Sequence, residues 1–227
     1  METSIGTYQE RALHAELKRL LEPDETLHEV RYKGYIADIL NDNGAIEVQT
    51  RSFERLRAKL TCFLNDMPVT LVFPAVRQKW LVWIHPETGE ATKKRRSPKV
   101  GTASSVLPEL YKIKSLLHHD NLRILVIPVD VLEYRSLTGW SADKKRGSTR
   151  LERIPTAFGT SVSLDVPGDY RQLIPAGLEN PFTASAFGAL AKLNSRHTWC
   201  ALNVLTEMHV LTRCGKRGNA YLYERTE

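Results

Sequence analysis

At 227 residues, 42% of them apolar and 26% charged, the chain is long enough to bury one large core or two modest ones. Its 32 Lys and Arg outnumber 26 Asp and Glu, and the net charge of +6 favours a polyanionic partner over an acidic surface of its own. Three scattered cysteines without a CxxC pair argue against a disulfide framework or a zinc site and suit a reducing compartment, the cytoplasm; the polar start is unlike a signal peptide, and no apolar run approaches the about 20 residues of a membrane helix.

The first periodic stretch predicts a helix over 8–22, with Leu13, Leu17, Leu20 and Leu21 on one stripe and Pro23 ending it. Residues 28–40 are rich in β-formers and interrupted at Lys33-Gly34. Asn41-Asp42-Asn43-Gly44 is a strong hairpin turn, after which 45–50 reads as the returning strand. Ser52 is expected to cap a helix running to about residue 65, whose buried stripe is Phe53, Leu56, Leu60, Phe63 and Leu64. The apolar run 69–73 predicts a strand covered on both faces, 80–84 a second strand, 107–118 a helix and 123–131 a further buried strand. A strand, a helix and a strand in succession over 45–73 fit a right-handed parallel crossover. The expectation is an α/β fold with a mixed sheet flanked by helices.

From 139 to 159 the sequence turns polar, basic and Gly/Ser-bearing, which marks a basic linker. It holds one burst of cations, Lys144-Lys145-Arg146 with Arg150 and Arg153. The other burst, Lys93-Lys94-Arg95-Arg96 with Lys99, also reads as a loop. Domain boundaries are therefore expected at 1–138, 139–159 and 160–227.

Chemistry concentrates in the hairpin. Side chains alternate faces along a strand, so Glu47 and Gln49 share one. With Asp42-Asn43 as the turn, Asp38 sits opposite Glu47; with Asn43-Gly44, it sits opposite Gln49. Either register puts all three on one face. Two neighbouring carboxylates repel unless a cation lies between them, and Mg²⁺ takes oxygen ligands of this kind together with water and phosphate. The same residues would also suit an ordinary polar sheet face.

Ala37-Asp38 on one strand, Glu47-Val48-Gln49 on the next and a helix directly after resemble the PD-(D/E)xK nuclease superfamily of restriction endonucleases and Holliday junction resolvases. The resemblance implies a restriction endonuclease-like αβββαβ core, Asp38 and Glu47 as ligands of Mg²⁺ or Mn²⁺, and Gln49 in the place of the usual Lys. Gly6, Glu10, Arg11, Leu13 and Leu17 are similar to the opening helix of resolvase-like members, which makes Glu10 a fourth candidate catalytic residue. Ala37 stands where Pro is usual. Gln offers a dipole where Lys offers a charge. Arg51 and Arg55, beside this site, would hold a DNA backbone.

Residues 183–223 read as helix, turn, helix and hairpin, with Thr183 and Ser195 as N-caps and Trp199, Leu202 and Leu205 facing inward. Val210-Leu211-Thr212-Arg213, then Gly215, Gly218, Tyr221 and Tyr223, resemble the winged helix-turn-helix family. That likeness implies that Arg196 and His197 read bases and that Lys216 and Arg217 grip phosphates.

Together these readings imply a metal-dependent DNA endonuclease or nickase, with RNA as an open alternative polymer and a homodimer as one assembly such nucleases use. The alternative is a catalytically inactive, DNA-binding regulator that keeps the nuclease fold as a scaffold, favoured by the Lys-to-Gln change. A third is an adaptor whose winged helix docks a protein.

Overall fold

The computed structural model describes residues 11–138 and 149–226, and it is an α/β protein with a mixed sheet. Contacts divide the chain into two units: one holds 1–26, 76–101 and 128–159, the other 27–75, 102–127 and 160–227. Two long strands, β4 (Val69–Ile84) and β6 (Leu122–Ser136), contribute to both.

The larger unit begins with a meander. β1 (His28–Tyr32) pairs antiparallel with β2 (Tyr35–Asn41), and β2 with β3 (Gly44–Val48). Asn41 pairs with Gly44, so Asp42-Asn43 form the turn. Gly44 is obligatory there: its φ is +113°, and a Cβ would lie 2.1 Å from the Pro68 carbonyl oxygen, which accepts the Ala45 N–H at 3.0 Å. β3 then runs parallel to β4, from Ala45 opposite Val69 to Val48 opposite Val72, as the expected crossover requires. The crossover helix is a 3₁₀ turn (Phe53–Leu56) followed by α2 (Arg57–Leu64). Ser52 does not cap it through its side chain; it sits in the left-handed region at φ 62°, and its carbonyl accepts the Arg55 N–H. β6 lies beside β4 and takes β8 (Val162–Leu164) on its other edge.

The C-terminal segment carries α4 (Ala184–Ala191), α5 (Ser195–Glu207) and a hairpin of β10 (Leu211–Arg217) and β11 (Ala220–Arg225), with the short β9 (Phe182–Thr183) paired to β11. Thr183 caps α4 as expected, but Asn194 and not Ser195 caps α5, its Oδ1 accepting the His197 N–H at 2.8 Å. A Cβ on Gly188 would meet Thr198 Oγ1 at 2.5 Å, so the glycine lets α4 and α5 approach closely.

The stretch 160–227, expected as a winged-helix domain after the linker, shares its unit with 27–75 and 102–127. Phe182, Phe187, Leu202 and Leu205 bury in the same core as Phe53, Phe63, Leu71 and Leu107. α5 packs along α3 (Leu107–Tyr111), where Tyr111 and Trp199 meet edge to face at 5.1 Å and Lys114 pairs with Glu207 at 2.7 Å. An apolar stripe of this size buries against whatever complementary apolar face is available, and here α3 supplies one. Trp199, expected inward, is 51% exposed, while Cys200, Ala201 and Val204 on the same helix are buried.

In the smaller unit, α1 (Arg11–Leu21) packs on β7 (Thr149–Phe158), with Leu13 and Leu17 buried and Leu20 left exposed. β7 pairs antiparallel with the second half of β6, and β5 (Arg95–Val100) with the second half of β4. Both basic bursts were expected in loops. Arg95 and Arg96 instead open a strand, and the expected linker 139–159 carries all of β7. Alternating side chains let cations point off a sheet while the backbone stays paired, so charge density hid these strands. Lys144, Lys145 and Arg146 lie outside the described residues.

Candidate active site and nucleic-acid interface

The ladder between β2 and β3 ends at Ile39–Ile46, and one step further Asp38 and Glu47 bridge the strands with their side chains. The Val48 N–H donates to Asp38 Oδ2 at 2.8 Å, and the Asp38 N–H donates to Glu47 Oε1 at 3.4 Å. β2 remains held by β1 and β3 by β4, so the gap between them is a notch lined by two carboxylates. The register with Asp42-Asn43 as the turn is the one that places Asp38 against Glu47.

The second oxygen of Glu47 accepts a hydrogen bond from the Lys59 ammonium. That residue lies on α2, its Nζ 2.5 Å from Glu47 Oε2, with side-chain exposures of 13% for the lysine and 3% for the glutamate. Phe63, one turn on, carries the ammonium 5.7 Å above its ring centre and is itself packed by Tyr32 and Tyr35. Burial, followed by the nearby Asp38 charge, pushes the Glu47 carboxyl up to about 7, and Lys59 offsets only part of this.

Gln49 extends the same strand, its N–H donating to the Val72 carbonyl, but its side-chain amide donates to the Arg51 carbonyl at 2.7 Å. Arg51 and Arg55 are exposed beside the site. Glu10 lies outside the described residues. Among the described residues no group of three or more His, Cys, Asp and Glu converges; Asp38 and Glu47 are the two carboxylates at the notch. From the sequence Lys59 reads, with Arg55, as a cation on one helix flank that either grips a nucleic-acid backbone or faces solvent; its pairing with Glu47 is what the structure adds. Its spacing, one turn before buried Phe63 and one residue before buried Leu60, was the available signal, but an amphipathic helix offers such a lysine to solvent just as often.

A second cluster lies in the smaller unit. Glu133 on β6 is fully buried and accepts from Arg153 Nη2 at 2.9 Å and Arg135 Nε at 2.6 Å, with Lys79 Nζ at 3.1 Å. Burial alone would raise its pKa; Lys79, Arg153 and Arg135 more than offset this and hold it at about 2.

At the C-terminal end, Arg196 and His197 are exposed on the first turn of α5. They border a cavity of about 560 Å³, lined also by Arg57, Tyr111, Lys112 and Trp199. Lys216 and Arg217 are exposed near the tip of the β10–β11 hairpin, where Lys216 Nζ lies 4.9 Å from the Tyr221 ring centre and the Arg213 guanidinium 4.6 Å from it.

The fold and notch define an α/β protein with a mixed sheet and a carboxylate pair answered by one partly buried lysine. Residues 11–165 match the family described as Domain of unknown function (DUF8091), and the chain belongs to that family. A relative from Treponema pallidum (strain Nichols), named only as an uncharacterized protein, is 32% identical over 225 residues, which is 98% of this chain and 88% of the relative. No solved structure matches the chain. Among the described residues no helix is long and apolar enough to cross a membrane.

Proposed function

We propose that the protein is a metal-dependent phosphodiesterase acting on DNA, with a restriction endonuclease-like core and a winged helix. The observation that carries this reading is the convergence of Asp38, Glu47 and Lys59 at the β2–β3 notch. Two carboxylates and no softer donor fit Mg²⁺ or Mn²⁺, which commonly take one or two carboxylates and fill the remaining positions with water and phosphate. Such an ion, when bound, would polarise the scissile phosphate and acidify a water. Asp38 and Glu47 would hold it. Lys59 stands in for the lysine missing at Gln49: it reaches the same carboxylate from the helix and would give its positive charge to the developing phosphorane oxygens. Gln49, tied to the Arg51 carbonyl, would fix the strand end that carries Arg51 toward a phosphate. Arg55, Arg196, His197, Lys216 and Arg217 would grip the polymer.

The test is cleavage of plasmid and oligonucleotide substrates with Mg²⁺, Mn²⁺ or EDTA. Glu47→Ala and Asp38→Ala should each abolish cleavage and leave binding intact; cleavage that survives both removes the proposed site. One observation favours a second reading, a DNA-binding regulator without catalysis: Glu47 is only 2% exposed and already answered by Lys59. Calorimetry that finds no Mg²⁺ or Mn²⁺ binding, alongside salt-sensitive DNA binding, would select it.

A further inference from the structure

The cavity between α3 and α5 combines three features that nothing in the proposed cleavage site requires. The first is an exposed indole. Trp199 keeps 51% of its surface open although it sits mid-helix, and Tyr111 braces it edge to face at 5.1 Å with an interplanar angle of 65°. An edge-on brace fixes the indole's orientation and leaves a ring face for another flat group. The second is a pair of guanidinium groups. Arg57 donates through Nε, at 2.6 Å, and through Nη2 to the Lys112 carbonyl at the end of α3. A guanidinium has five N–H donors, so those turned away from that carbonyl stay available. Arg196 opens α5 on the other wall and pairs with no carboxylate among the described residues. The third is local compensation of the acids. Glu54 and Glu109 also line the cavity, but Lys112 answers both, at 3.2 and 2.8 Å, and Glu109 further accepts the Phe53 N–H at 3.1 Å. Three cations (Arg57, Lys112 and Arg196) against these two acids leave the cleft with one net positive charge, and the arginines are the cations not engaged by a carboxylate among the described residues.

A flat ring platform beside two guanidiniums matches one nucleotide of a single strand, which offers a π face and a phosphate a few ångströms apart. A base inside a duplex has no free face to stack. The dimensions agree, since a cavity of about 560 Å³ falls within the range of small-ligand sites. We propose that this cleft binds a nucleotide of single-stranded nucleic acid, with its base stacked on Trp199 and its phosphate held by Arg196 and Arg57. The proposal rests on the nucleic-acid part of the reading above and is independent of the carboxylate notch.

The experiment measures binding of a labelled single-stranded oligonucleotide, the same sequence as a duplex, and a free deoxynucleoside monophosphate, all in EDTA. Trp199→Ala weakens single-strand binding on the order of tenfold or more, the usual worth of one stacked base, and leaves duplex binding unchanged. Arg196→Ala weakens it too and lowers the salt slope by about 0.7, one single-strand phosphate. Should Trp199→Ala fail to fold, Trp199→Phe decides: the oligonucleotide quenches indole emission in the wild type and loses that share of quenching in the variant. Single-strand affinity unchanged by Trp199→Ala, equal losses for single strand and duplex, or quenching unaltered in Trp199→Phe overturns the proposal. Monophosphate that displaces the oligonucleotide overturns it in favour of a free-nucleotide site. Cleavage with Trp199→Ala behaving as wild type sinks the cleft alone; single strands bound through Trp199 without any cleavage sink the nuclease reading alone.

Discussion

Replacing Glu47 by glutamine removes a charge that the fold holds at a cost, and the consequence is a stability that depends on pH. The folded carboxyl has its pKa raised from an ordinary 4.5 to about 7, first by burial and then by Asp38. A raised carboxyl pKa means that the native state binds the proton more tightly than the unfolded chain. Stability from this group is therefore fully present below pH 4.5 and is lost as the pH climbs to about 7. At about 1.36 kcal/mol per pH unit, the loss amounts to about 3 kcal/mol. Glutamine keeps the shape and can still accept from Lys59, but it cannot ionise. Urea unfolding of wild type and Glu47→Gln in EDTA, at intervals from pH 4 to pH 8, reads this directly. The variant should gain on the wild type by about 3 kcal/mol across that window and by nothing further above it. A difference that does not change with pH would refute the argument, since it would mean that Glu47 is ionised at no cost in the native state.

The remaining predictions test other parts of the molecule. Lys59→Met should abolish Mg²⁺-dependent cleavage and raise the Glu47 pKa further, followed by the shift of the same unfolding curve to higher pH; unchanged cleavage would remove lysine from the mechanism. Glu133→Gln leaves Lys79, Arg135 and Arg153 around an uncharged amide and should cost about 3 to 5 kcal/mol by denaturant unfolding. In the wild type the depressed Glu133 pKa adds stability that is present above about pH 4.5 and disappears as the pH falls toward 2, which an acid titration of ellipticity would follow. Gly44→Ala places a methyl against the Pro68 carbonyl at an unfavourable φ and should cost about 3 kcal/mol or more, with loss of whatever activity the notch supports. Lys216→Ala with Arg217→Ala should weaken DNA binding and flatten its salt dependence by about 2 in slope, with cleavage of bound DNA retained.

Sequence alone determined the local part of the site. A tight two-residue turn and period-two alternation leave little freedom in a hairpin, so the shared face of Asp38 and Glu47 followed from spacing, as did the parallel crossover into β4. The same is true of Thr183 as a helix cap, because a cap is decided within three residues. Tertiary structure decided what depends on distant partners. Lys59 reaches Glu47 because α2 is laid across the sheet by Phe53, Leu60 and Phe63, and nothing local tells a lysine turned inward from a solvated one. The basic stretches at 95–96 and 150–153 became strands because β4 and β6 extend to pair with them; a backbone ladder is a property of two segments, and the charge of one does not reveal it. The C-terminal helices joined the main core for the same reason. Their apolar stripe announced that something would cover it, and only the packed chain could show that α3 does so, leaving Trp199 open beside two arginines.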